Sequence, residues 1–202
     1  MPEVTARVEI DPTAYIDPTA ILQGNVRIGQ WSKIEAGVVI AGSITIGDHT
    51  VIHCGTVLRG PIDIGNYVQI FDQCCIEGGR GPGVGTVESG SRDRSIIKDG
   101  AWINHGASMH GCQLGEHAAI GLNAALDYNC RLGNGAIVMN GSACRINTEV
   151  PDNCVAEGVP AQIVERDITD EDRLRLLGLN PKDRVVALAA GAERFIRQVK
   201  GL

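Results

Sequence analysis

Every sixth residue from Val4 to Ile76 is aliphatic: Val4, Ile10, Ile16, Leu22, Ile28, Ile34, Ile40, Ile46, Ile52, Leu58, Ile64, Ile70 and Ile76. About one residue in four is aliphatic in an average chain, so an unbroken run in register is not an accident of composition. A period of six fits neither an amphipathic helix, which repeats at 3.6, nor an isolated strand, which alternates at two. It fits a β-solenoid of hexapeptide repeats, each contributing one short strand and one corner. The position four after the aliphatic residue is small or branched (Ala14, Ala20, Val38, Ile44, Thr50, Thr56, Ile62, Val68, Cys74), as a tapered core requires. Gly29, Gly47 and Gly65 fall at corners, where we expect backbone angles that other residues resist.

The repeat breaks once and resumes through Ile97, Ile103 and Met109, then, after a slip of one, through Leu114, Ile120, Leu126, Leu132, Val138, Cys144 and Val150. Three hexads per coil would stack residues eighteen apart at the spacing of neighbouring strands, about 4.8 Å. On that basis Ile10, Ile28, Ile46, Ile64, Ile97, Leu114, Leu132 and Val150 share one edge of roughly eight coils. Such a stack buries a continuous core although only 3% of the chain is aromatic. The solenoid is expected over residues 1–167, with a loop protruding at 78–95 and a helical tail at 168–202. In the tail Thr169 is a plausible N-cap before Asp170, Glu171 and Asp172, and Pro181 can open a second helix to about Val199. Its apolar residues, among them Val185, Leu188, Ala192 and Ile196, lie on one face. That face must cover a wall of the solenoid or a neighbouring subunit.

Charge and cysteine content narrow the function classes. The net charge is −6 with no Lys/Arg cluster, which argues against nucleic acid and anionic membranes as partners. No apolar run reaches the length of a membrane span, and no apolar stretch follows a basic start, so a cytoplasmic protein is expected. The seven cysteines include no CxxC pair and read as free thiols, with Cys74, Cys130 and Cys144 at inward positions.

Chemistry concentrates around the break. The segment between Ile76 and Ile97 is glycine-rich and cannot bury itself, so it should loop out as a lid or subunit contact. With the insertion looped out, Arg59, Glu77 and His110 each follow an inward residue of the third wall and should form one outward column. Cys54, Asp72 and His105, each two beyond an inward residue of the second wall, form another.

Arg59, Asp72, the His105–His110 pair in NHGASMHGC, the IGLNA segment and the GVPAQ exit at Gly158 resemble the bacterial gamma-class carbonic anhydrase-like proteins over nearly the whole chain. The resemblance implies a left-handed β-helix, a homotrimer, and a divalent zinc, iron or cobalt ion between subunits. It also implies three metal histidines, two of which match His105 and His110. The third position carries Glu77. Arg59-Gly60-Pro61 stands where the family has Arg-x-Asp, and Phe71 replaces the glutamine before the motif aspartate. Two imidazoles and a carboxylate are a competent set for zinc or ferrous iron. An anionic ligand leaves the ion less able to acidify water than a third imidazole, so a small-substrate reaction other than efficient CO2 hydration is expected. In that reading Arg59 neutralises a substrate anion or pairs with Asp72 across the interface, and Glu88 carries protons. Acyl transfer or thioester hydrolysis from acyl-CoA stays open, as does a trimeric scaffold without catalysis, because fold does not determine function.

Overall fold

A computed structural model describes residues 7–79 and 94–202. The chain forms a left-handed β-helix of about eight turns followed by two helices. The strand register is the one the six-residue period demands. Ile28 pairs with Ile46, Ile46 with Ile64, Ile64 with Ile97, and the ladder continues through Leu114 and Leu132 to Val150. Ile34, Ile52, Ile70, Ile103, Ile120 and Val138 form the second wall's ladder. These aliphatic residues are buried in one continuous core. Ile10, in the lowest described coil, remains 41% exposed because only one neighbour stacks on it. Val4 lies outside the described residues.

Two long strands, β3 (Ile21–Ile28) and β5 (Val39–Ile46), pass from the third wall to the first without interruption and merge those walls into a thirteen-stranded sheet. The second wall is a separate nine-stranded sheet. Polar groups inside the core are satisfied by corner carbonyls. Ser32 donates to Gly47 O at 2.7 Å, Thr50 to Gly65 O at 2.8 Å, and Thr56 to Phe71 O at 2.8 Å. A buried hydroxyl without such an acceptor would cost a large part of its desolvation energy.

The corner glycines serve a different purpose from the one expected. The left-handed backbone falls on Trp31, His49 and Tyr67, two residues beyond Gly29, Gly47 and Gly65. What excludes a side chain at Gly47 is space, since a Cβ there would stand 2.6 Å from the carbonyl of Gly65 in the next coil.

The tail covers a wall of its own chain. Strand β21 (Val155–Gly158) turns back antiparallel into β22 (Ala161–Glu165), and the chain then enters α1 (Asp170–Leu177) and α2 (Pro181–Lys200). Ile168, Val185, Leu176 and Leu188 pack on the outward side chains of the second wall, Trp102, Ala119, Ile137 and Val155. At about 1.5 Å per residue a helix of this length reaches roughly 30 Å, or about six coils. Accordingly Phe195 meets Tyr15 edge-on at 5.2 Å and the Lys200 ammonium donates to Pro12 O at 2.7 Å, both near the opposite end of the solenoid. Thr169 caps α1 in a reciprocal box with Asp172, as expected. The Thr169 amide and hydroxyl, with Arg175, hold the Asp172 carboxyl down at about 2.

Two outcomes follow from these contacts. Gly47→Ala should destabilise the fold by about 1–3 kcal/mol, read as a lowered melting temperature, because the backbone of Gly65 cannot give way. The Asp172 contribution to α1 is present above the ordinary carboxylate range and is lost as pH falls toward 2. The protection of the Thr169 amide, taken relative to its intrinsic exchange rate at each pH, should therefore fall over that window, and Asp172→Asn should remove the dependence.

Candidate metal centre

Strand β10 (Cys75–Glu77) lies between β7 (Val57–Arg59) and β13 (Ser108–His110), with Glu77 paired to Arg59 on one side and His110 on the other. The outward column expected at this corner is therefore formed. Arg59 Nη1 stands 3.6 Å from Glu77 Oε1, with the two side chains 61% and 40% exposed. An ion pair that open to solvent contributes at most about 1 kcal/mol, so it does not lock Glu77 away from a stronger cation. The His110 Nε2 donates to the carbonyl of Gly79 at 2.7 Å, which leaves Nδ1 as the ring's acceptor.

The second column is formed too. Gln73 N bonds to Cys54 O, and Gly106 N to Asp72 O, which stacks these corners one above the other. His105 Nδ1 is 2.9 Å from Asp72 Oδ2. A carboxylate accepting from one ring nitrogen fixes the tautomer and turns the other nitrogen's lone pair outward, the arrangement metal-binding histidines generally have. His105 and His110 nonetheless sit at opposite ends of the third wall. Four residues separate them, turning at Gly106 before the chain enters β13. Among the described residues they join no common group of metal donors. Glu88 lies outside the described residues, as does most of the loop at 78–95. Its exit is anchored by an ion pair of Arg94 with Asp63 at 2.5 Å and by Ser95, whose hydroxyl donates to Glu77 O at 2.8 Å.

Beside Glu77 and His110 runs a groove of about 680 Å³ along the third wall. Cys75, Ala125 and Ala143 line it, with Val159 and Pro160 and the Arg145 side chain at its border. Cys74 points the other way, into the core, where burial pushes its thiol up to about 12. Cys112, Cys130, Cys144 and Cys154 are buried as well.

Sequence reasoning missed Glu35 and His53. Both follow an inward residue of the second wall by one, a column that the same counting would have found. His53 Nδ1 is 3.2 Å from Glu35 Oε2, and Lys33 Nζ is 2.8 Å from Glu35 Oε1. The hydrogen bond from His53, helped by Lys33 and opposed by burial, holds the Glu35 carboxyl down at about 2. Phe71 occupies the same column one coil on. Its ring stacks on His53 at 4.8 Å and tilts against His105 at 4.9 Å.

Comparison with known proteins bears on the family and the fold. The chain is 30% identical over 164 residues to carnitine operon protein CaiE of Proteus sp., covering 81% of this chain and 69% of that protein. It is 34% identical over 84 residues to the mitochondrial gamma carbonic anhydrase 1 of Arabidopsis thaliana, covering 42% of this chain and 30% of the relative. A hexapeptide transferase family protein from Anaplasma phagocytophilum superposes with a TM-score of 0.65 at 23% identity over 92% of this chain and 93% of that one, a likeness of fold. No family model matches the chain. Among the described residues no helix is long and apolar enough to cross a membrane. With the hexad ladder intact and the CaiE relationship spanning most of both proteins, the chain belongs to the gamma-carbonic anhydrase-like family of hexapeptide-repeat proteins.

Proposed function

We propose that three copies of this chain assemble about an axis parallel to the solenoid and hold a divalent cation at each subunit contact. His105 of one copy faces Glu77 and His110 of the next, and the assembly acts on a small molecule by metal-assisted hydration, hydrolysis or elimination. The supporting observation is the bond from His105 Nδ1 to Asp72, which presents an oriented Nε2 that joins no group of metal donors among the described residues. His110 likewise has one nitrogen tied to Gly79 and the other available. The donor set of two imidazoles and one carboxylate suits zinc, iron or cobalt. Such an ion would serve as a Lewis acid toward a polarisable substrate oxygen.

This chain's own groups define the rest of the site. Asp72 keeps the His105 ring in one tautomer. Arg59, whose partner among the described residues is the exposed Glu77, can turn from it toward a substrate anion or toward Asp72 of a neighbouring copy. The groove along the third wall gives the substrate an apolar floor of small side chains next to His110. That groove also favours a second reading, acyl transfer or hydrolysis of an acyl thioester with the free His110 nitrogen as general base.

Light scattering should give the mass of three chains. His105→Ala and His110→Ala should each remove one metal ion per chain, and Glu77→His should tighten metal binding at least tenfold and raise CO2 hydration above background. A monomer at micromolar concentration, or metal content indifferent to both alanine variants, would end this reading. Acyl-CoA turnover that survives chelation and disappears in His110→Ala would establish the second.

A further inference from the structure

We propose that Glu35, His53 and Asp72 form a second site for a divalent transition metal, of the zinc or cobalt type, complete within a single chain. Three successive coils contribute one ligand each. Their donor atoms, two carboxylate oxygens and one imidazole nitrogen, lie within 4.8 Å of one another. The site takes none of its ligands from Glu77, His105 or His110, and it does not depend on assembly of a trimer.

Its surroundings resemble those of a built site. The His53 Nε2 lies 3.4 Å from Oε1 of Gln69, a residue with no exposed surface. Without an ion His53 Nδ1 donates to Glu35 Oε2; a cation would take the place of that proton, with the remaining ring proton on Nε2 facing Gln69 Oε1 and Asp72 adding a third ligand. Two carboxylates beside one imidazole favour a positive charge between them. Lys33 neutralises one of the two carboxylates, from the far oxygen of Glu35, and one negative charge remains for a dication. Gln69 Nε2 is buried without a hydrogen-bond partner among the described residues. Aiming the imidazole is the role left for it, and His105 does the same for Asp72 through the 2.9 Å contact. The stacked Phe71 ring fixes the imidazole plane. The competing arrangement keeps the proton on Nδ1 and needs no cation.

The test uses chelator-stripped full-length protein and Co2+ alone as the probe. His110→Ala disables the intersubunit centre, so any Co2+ it retains reports on this site. That variant should bind one Co2+ per chain, seen by equilibrium dialysis and by visible ligand-field absorption, with a rise in melting temperature on loading. Adding Glu35→Gln, which keeps shape and hydrogen bonding, should weaken binding at least tenfold while the melting temperature of the stripped protein stays within a few degrees. Adding His53→Ala should abolish the absorption band. Absence of Co2+ uptake by His110→Ala, or uptake that Glu35→Gln leaves unchanged, overturns the site and supports the proton on Nδ1. Failure of the intersubunit centre reads differently, because wild type and His110→Ala would then bind the same number of ions.

Discussion

The stacking of each inward residue on its counterpart one coil away is the constraint on which everything else depends. A strand of two or three residues has too few hydrogen bonds to persist alone, and each coil is stable only because ladders run along the whole solenoid. The side-chain consequence is equally strict. Once Ile76 is placed between Leu58 and Met109, Glu77 must lie between Arg59 and His110. Columns of outward residues are thus set by the core, and a functional group can be positioned to within a fraction of a strand spacing by the aliphatic residue that precedes it.

The same rule explains what could be read from the sequence and what could not. The period of six made the core, the three walls and both outward columns legible, including pairs separated by thirty-three residues such as Asp72 and His105. The N-cap at Thr169 and the start at Pro181 were legible because capping is local chemistry. The role of Gly47 was not. Its constraint is the carbonyl of Gly65 overhead, which no local rule about glycine angles contains. Which wall the helices cover was also hidden, although Trp102, Ile137 and Val155 point outward and are too apolar to stay in water. Glu35 and His53 escaped because attention followed the family's motif residues, and those lie one position further along the corner.

The chain departs from its family where the geometry can absorb the change. Pro61 removes the carboxylate that would follow Arg59, and Glu77 supplies one on the adjacent coil, within ion-pair distance of the same guanidinium. The carboxylate beside Arg59 thus comes from a position one coil spacing away from the one that the resemblance implies. A carboxylate stands where the resemblance implies an imidazole, and a carboxylate is itself a ligand type that zinc and ferrous iron accept.

Phe71 in place of a glutamine has a wider effect. A glutamine there could hydrogen-bond at the corner, whereas the phenyl ring makes only packing contacts: His53 at 4.8 Å, His105 at 4.9 Å and Trp102 at 4.5 Å. Trp102 in turn belongs to the apolar cluster that seats Leu176, Leu177 and Leu188 of the helical tail. Phe71 therefore joins the helix-covered second wall to the polar corner beside it. Imidazole orientation at both candidate sites rests partly on a ring whose own position depends on the docked helices. The helical tail is thereby part of the physical support of the polar corner as well as a cover for the second wall.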